Sequence, residues 1–194
     1  MMAGTSSRVT GALALVLILS FLHPLYAGQP DGLDHEFTED DRHYAFRGSF
    51  QVTGTERCLI EVIYDFQHIS RYAAGARSVE KGLEGENWYE VTYTYRRYLL
   101  FKNRSTWRRT LDRAERRVDF EMTASENNLG MLPELLSSTG YYQLAEETQG
   151  YRLEYFQECS ISHGAFSARY LKRARKEAIG FLEEFRQYVM TTCQ

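Results

Sequence analysis

Hydrophobic and polar positions alternate with a period of two through most of the chain after residue 43, a pattern that predicts strands. The first clear case covers residues 44–52, where Tyr44, Phe46, Phe50 and Val52 alternate with polar or small side chains. Turn-forming residues punctuate the later alternating segments. Six further strands are predicted near residues 76–84, 87–96, 99–111, 115–124, 141–145 and 151–159.

Three segments show helical spacing instead. Two are short and follow the first strand, with the apolar stripes Leu59, Val62, Ile63 and Phe66, Ile69, Tyr72. The third covers about residues 165–190, and its apolar positions recur mostly every three or four residues, as one face of a long helix requires. Those positions are Leu171, Ala174, Ala178, Phe181, Leu182, Phe185 and Val189.

The N-terminus is typical of a secretory signal peptide. Arg8 precedes an apolar stretch over residues 11–22, Pro24 interrupts it, and the small residue Ala27 offers a cleavage position. The stretch is shorter than the roughly 20 apolar residues of a spanning helix. We therefore expect residues 1–27 to be removed and the mature protein to be periplasmic or secreted, with an uncleaved membrane anchor as the alternative.

Two segments lack a clear period. Residues 28–42 are acidic and are interpreted as a flexible linker between the signal peptide and one domain over 43–194. Residues 125–139 interrupt the strands with more apolar side chains than an exposed connection carries. This segment is either a lid over a binding site or a short buried helix; its apolar residues are Leu129, Met131, Leu132, Leu135 and Leu136.

Composition and charge limit the classes of partner that the protein is expected to bind. The net charge is −3, and removal of residues 1–27 takes away one basic residue and no acidic one. A mildly acidic protein has no long-range attraction for nucleic acid, so no nucleic-acid partner is expected. The basic run 172–176 is followed by Glu177, Glu183 and Glu184, which favours a solvated helix face over transient contact with anionic lipid.

No strong catalytic or metal-binding motif is present. His35, His43, His68 and His163 are scattered, and the three cysteines Cys58, Cys159 and Cys193 match no zinc spacing. We predict no cofactor, no metal and no assigned catalytic residue. If chemistry occurs, its acid–base groups would come from Tyr93, Asn103, Tyr155 or Gln157.

The order of predicted elements resembles the START/SRPBCC helix-grip superfamily, which includes lipid-transfer, birch-pollen-allergen-like, polyketide cyclase and coenzyme-Q-binding proteins. The segment 62–72 is similar to a stretch of its bacterial cyclase-like branch, and 139–142 and 153–155 resemble its last two strands. The resemblance implies an α+β fold: a seven-stranded, strongly curved antiparallel sheet wrapped on a long C-terminal helix, with two short helices between strands one and two.

The helix-grip architecture implies a cavity, because one helix cannot fill the concavity of a strongly curved sheet. The alternative is that the same side chains pack a solid core. The predicted lining is Tyr89, Val91, Tyr93, Tyr95, Phe101, Trp107, Phe120, Met122, Tyr142, Leu144, Leu153, Tyr155, Leu182 and Phe185.

The resemblance also suggests a disulfide. In this superfamily the two short helices cradle the end of the long one, which would bring Cys58 toward Cys193. The expected function is a monomeric, exported binding protein for a lipid or other apolar small molecule. A cyclase- or isomerase-like enzyme using the same pocket, and an interaction module that binds no ligand, are the alternatives.

Overall fold

The computed structural model describes residues 32–73, 76–95, 103–127, 133–164 and 166–194. Its strands form one antiparallel sheet in the order β1-β2-β8-β7-β6-β5-β4-β3. The elements are β1 (Leu33–Glu39), β2 (His43–Val52), α1 (Glu56–Tyr64), α2 (Phe66–Tyr72), β3 (Ala76–Glu84), β4 (Trp88–Tyr95), β5 (Asn103–Asp112), β6 (Arg117–Asn127), β7 (Leu135–Glu147), β8 (Gly150–Ile161) and α3 (Ser167–Cys193).

The sheet has one covered face, which follows from the alternation of side chains along each strand. In β5 the side chains of Ser105, Trp107, Arg109 and Leu111 are buried, and those between them are more accessible. The largest fully buried side chains come from the same face of β2 and β8 and from the helices. The core therefore lies between the sheet and the three helices.

The prediction of a flexible linker over residues 28–42 is wrong for its second half, because Leu33–Glu39 forms the edge strand β1. Leu33 is buried and Phe37 packs against the core, while the acidic side chains between them face solvent. Pairing of β1 with β2 makes the sheet eight-stranded and not seven-stranded. Acidic side chains on an exposed edge disfavour pairing with other chains.

The predicted interruption over residues 125–139 is also wrong at both ends. Strand β6 continues to Asn127, and β7 begins at Leu135, which pairs with Ile161 of β8. Leu135 and Leu136 are thus strand residues and not part of a lid, and Leu136 is 59% exposed. The remaining predicted lid residues, Leu129, Met131 and Leu132, lie outside the described residues.

The two short helices begin at side-chain caps. Thr55 Oγ1 accepts from the backbone N–H of Cys58 at 3.3 Å, and Asp65 Oδ1 accepts from that of Gln67 at 2.8 Å. Helix α3 packs its backbone closest to β1, β2, α1 and α2. The C-terminal half of α3 supplies the larger core side chains, Leu182, Phe185 and Val189.

A disulfide joins Cys58 in α1 to Cys193 at the end of α3, with the Cα atoms 5.7 Å apart. This is the pair that the resemblance suggested. Cys159 is a free, buried thiol. The predicted signal peptide lies outside the described residues, and within the part of the chain that is described no helix is long and apolar enough to cross a membrane.

Candidate ligand-binding site

The predicted lining residues share the covered face of the sheet and the facing side of α3. Most are buried, whereas Tyr93, Tyr95 and Met122 keep partly accessible side chains. Phe101 lies outside the described residues. The buried members are Tyr89, Val91, Trp107, Phe120, Tyr142, Leu144, Leu153, Tyr155, Leu182 and Phe185.

Part of this set is a packed aromatic core. The ring centroids of Phe120 and Tyr142 are 5.4 Å apart, and those of Tyr142 and Tyr155 are 5.0 Å apart. Phe185 of α3 lies 5.3 Å from Tyr142 and 4.8 Å from Tyr72 of α2. These are ordinary aromatic contact distances. These rings therefore pack against one another in this part of the interior.

The opposite end is more open. Tyr93, Tyr95 and Met122 are partly accessible there, and Tyr95 interacts with Tyr170 and Glu177, in the stretch of α3 that also carries the small residues Ala174 and Ala178. Desolvation by burial raises the pKa of Tyr95 to about 12, so this partly accessible phenol is still surrounded by protein. Tyr95 also lines an open depression at the edge of the sheet, so this end of the interior lies beside solvent. We call this region the open end of the interior.

Arg109 lies deeper in the interior, at what we call the deep end, where the Tyr93 side chain reaches it. Its side chain is 4% exposed, and its Nη2 donates to the backbone carbonyl of Ile63, near the C-terminus of α1, at 2.5 Å. Its guanidinium carbon is 5.2 Å from the ring centroid of Tyr142 and 5.9 Å from that of Phe120. Both distances fall in the range of cation–π attraction. The aromatic core thus contains a permanent cation.

Arg109 is surrounded by phenols and not by carboxylates. Desolvation lowers the pKa of Arg109, and Coulombic interaction with Tyr72, Tyr89, Tyr93 and Tyr142, which acts in full only when these phenols are ionised, raises it. Burial in turn raises the pKa of each of these four tyrosines, despite the opposing effect of the nearby guanidinium. The phenols therefore stay protonated at neutral pH and supply no full negative charge.

Two polar groups at this deep end lack partners. Among the described residues, neither Nε of Arg109 nor the hydroxyl of Tyr72 has a hydrogen-bond partner. The Tyr142 hydroxyl interacts with that of Tyr72 and with the side chain of Arg109. No carboxylate of the described ranges forms an ion pair with Arg109. Buried polar groups are normally paired, so these atoms have unused binding capacity.

A second set of polar groups lies on β7, β8 and β2. The Tyr155 hydroxyl donates to Gln157 Oε1 at 2.7 Å, and Gln157 Nε2 donates to Ser138 Oγ at 3.0 Å. Ser138 Oγ lies 3.0 Å from Cys159 Sγ, which also interacts with the hydroxyl of Tyr44. Desolvation raises the pKa of the Cys159 thiol. These groups satisfy one another, so the hydroxyl of Tyr155 is engaged and not free.

The other two predicted acid–base candidates lie apart. Tyr93 interacts with Arg109. Asn103 borders an open depression at the edge of the sheet, beside Arg77, Glu80 and Arg104. Most of its lining is charged or polar, and Tyr95 is its aromatic member. Within the described ranges, no cluster of three or more histidine, cysteine or acidic side chains could hold a metal ion.

Sequence reasoning missed Arg109. The signal was available, since Arg109 lies two residues after Trp107 and two before Leu111 on an alternating strand, and so shares their covered face. Arg108, its neighbour, points to the opposite face, where it contacts the Trp88 ring at 4.6 Å and pairs with Glu90 at 3.3 Å. The two arginines are adjacent in the sequence but lie on opposite faces of the sheet.

Comparison with known proteins identifies the fold. No model of a protein family matches the sequence, and no curated protein matches it. The structure is similar to the Zhui aromatase/cyclase of Streptomyces sp. R1128, with a TM-score of 0.56 and 14% identity over 81% of this chain and 93% of that one.

Two further solved structures agree. The STAR-related lipid transfer protein of Xanthomonas axonopodis gives a TM-score of 0.57 and 12% identity over 82% of this chain and 99% of that one. The major latex-like protein 151 of Panax ginseng gives a TM-score of 0.53 and 10% identity over 79% and 99%. Identities this low establish the architecture only. The chain has the helix-grip fold of the START/SRPBCC superfamily.

Proposed function

We propose that this protein is an exported binding protein that holds a lipid or another apolar small molecule between the sheet and α3. The observation that carries the proposal is the open end of the interior, where Tyr93, Tyr95 and Met122 keep partly accessible side chains and Tyr95 interacts with Tyr170 and Glu177 of α3. Enclosed spaces lined by apolar and aromatic groups with a few polar side chains are the usual form of small-molecule sites. The names of the similar lipid-transfer and cyclase structures agree with this function.

Export is part of the proposal and rests on different observations. The N-terminal pattern around Arg8 and residues 11–22 is that of a signal peptide, and the disulfide between Cys58 and Cys193 suits an oxidising compartment. N-terminal sequencing of the protein recovered from culture medium or periplasm tests export. A mature N-terminus near residue 28 is expected, and recovery only in the cytosol with residue 1 intact contradicts it.

A change at Ala178 tests the binding site directly. Ala178→Phe places a ring in the space at the open end, so we expect it to abolish binding of an apolar fluorescent probe such as Nile red. Lys176→Phe adds the same ring on the exposed side of α3 and is the matched control, which should bind as the parent does. Equal binding by both variants and the parent would place the probe elsewhere and contradict the proposed site.

Catalysis on a transient substrate is a second candidate, favoured by one observation. A buried guanidinium beside protonated phenols, as at Arg109 and Tyr93, is able to stabilise an oxyanion that develops during a reaction. A binding protein releases its extracted ligand unchanged. Recovery of a chemically altered molecule after incubation of the purified protein with that ligand would favour the enzyme instead.

A further inference from the structure

We propose that Arg109 binds an anion and that the ligand of the interior is an apolar molecule bearing a carboxylate at one end. This inference deepens the proposed function and rests on it. Arg109 Nε and the Tyr72 hydroxyl are both unpartnered among the described residues, and their side chains are 4% and 7% exposed. Two buried polar groups without partners next to a permanent charge indicate a missing acceptor.

The energetics of burial favour an anionic acceptor over a neutral one. A buried ion without a counter-charge costs several kcal/mol, and phenols and ring faces offset only part of that cost. The carbonyl of Ile63 uses one of the five N–H donors of the guanidinium, and the hydroxyls of Tyr93 and Tyr142 also interact with it, but Nε has no partner among the described residues. A carboxylate accepts two parallel hydrogen bonds from a guanidinium and neutralises its charge at the same time.

The position of Arg109 determines which part of the ligand is charged. Arg109 pairs in register with Tyr89 and Phe120, close to α1, whereas Asn103 begins β5 at the open end. The strand between Asn103 and Arg109 spans roughly 20 Å at about 3.3 Å per residue. The side chains of Trp107 and Met122 on this path are apolar. A ligand would therefore place its carboxylate at the deep end and its apolar part toward the open end.

The contact with Ile63 suggests a competing, purely structural role. The Ile63 carbonyl lies in the last turn of α1, where a cation is favourable, so Arg109 could serve only to stabilise that helix end. The two roles differ in one measurable respect. A structural arginine affects the stability of the protein but does not discriminate between ligands that differ only in the charge of one end.

Paired ligands test the proposal on the unmodified mature protein. Oleic acid, oleyl alcohol and methyl oleate share one chain, and calorimetry below their aggregation limits measures the affinity of each. We expect oleate to bind about tenfold or more tightly than the two neutral compounds, as a charge-assisted hydrogen bond requires. Equal binding of all three overturns the inference and leaves the proposed function intact, whereas failure of all three to bind overturns both.

Variants at two adjacent arginines separate the roles further. Arg109→Gln should lower oleate affinity about tenfold or more while leaving oleyl alcohol within about threefold, and Arg109→Lys should retain part of the preference. Arg108→Gln removes a charge from the opposite face and should change neither affinity. If Arg109→Gln fails to fold, the ligand pairs on the unmodified protein still decide. Stabilisation by acetate alone, with oleate no tighter than the alcohol, would also overturn the proposal.

Discussion

Cys58 and Cys193 are joined by a disulfide that links the first helix to the end of the last one, across a sequence separation of 135 residues. A covalent link over so long a loop restricts the unfolded chain strongly, and removal of a native disulfide costs about 2–5 kcal/mol. It also holds the end of α3, whose large side chains close the deep end of the interior.

We therefore expect Cys58→Ser combined with Cys193→Ser to lower the free energy of unfolding by about 2–5 kcal/mol. Urea denaturation followed by circular dichroism measures the change. Adding reductant to the parent protein should lower its midpoint in the same way and should not affect the double variant. A double variant as stable as the oxidised parent would contradict a structural role for the disulfide.

Glycines on the covered face give a second prediction. A Cβ on Gly140 would lie 2.1 Å from the Phe156 carbonyl oxygen, and one on Gly48 would lie 2.2 Å from Cδ2 of Leu182. Overpacking of this kind costs about 1–3 kcal/mol. We expect Gly140→Ala to cost more, because a backbone atom cannot rotate aside as the leucine side chain can.

Gly180 provides the matched control for these substitutions. It lies within α3, and nothing comes within 4 Å of a Cβ added there. Gly180→Ala should therefore raise stability by about 0.5–1 kcal/mol, because alanine restricts the unfolded chain. Thermal unfolding of the three variants ranks them, and the order Gly180→Ala, Gly48→Ala, Gly140→Ala from most to least stable is expected. A Gly140→Ala variant as stable as the parent would contradict the close packing of β7 on β8.

The buried phenols predict alkaline sensitivity. Desolvation by burial raises the pKa of Tyr95 and of Tyr170 to about 12, from a value of 10.0 in the unfolded chain. Because the folded state holds these protons more tightly, their contribution to stability is complete below pH 10 and is lost as the pH rises through about 12.

Absorbance of the phenolate during a pH titration, together with circular dichroism, checks this expectation. The buried tyrosines should ionise only well above pH 10 or as the protein unfolds. Ionisation of every tyrosine of the mature protein near pH 10 with the fold intact would show that the interior does not desolvate them.

Thiol counting tests the cysteine arrangement. Cys159 is buried beside Ser138, and desolvation raises the pKa of its thiol, so it should react slowly with a thiol-specific reagent in the native protein. Denaturant without reductant should expose one thiol per chain, and reduction should expose three. Three thiols in the unreduced, denatured protein would mean that the disulfide is absent.

The strands and helices that form the core were predictable because each buries one face. Periodicity predicted a helix over about 165–190 and the structure has Ser167–Cys193, and the alternation at 44–52 became β2. Strand β1 was missed because six acidic side chains over residues 31–41 suggested a linker, although Leu33, His35 and Phe37 alternate with polar residues. The acidic composition of this segment drew attention away from its alternation with a period of two. That alternation places the apolar side chains on the covered face when β1 pairs with β2.

The candidate site was less predictable than the fold. The apolar lining follows from the alternation of apolar and polar residues along the strands. Whether those rings pack together or border a space depends on how α3 lies on the sheet, and periodicity alone does not predict that placement. At the open end, α3 has the small, partly accessible residues Ala174 and Ala178, which leave more room than larger side chains would. Arg109 occupies a buried position of a kind that apolar residues usually fill. A charged residue at such a position departs from the apolar–polar alternation, and functional groups are expected at such departures.

The central claim is that the mature protein holds an apolar molecule inside the sheet, and native mass spectrometry of protein purified from its export compartment tests it most directly. We predict a stoichiometric adduct that solvent extraction identifies as an apolar carboxylic acid, and that is missing from Ala178→Phe but present in Lys176→Phe. The account would be contradicted if every preparation showed the mass of the polypeptide alone, the extract contained no ligand, and added oleate did not bind.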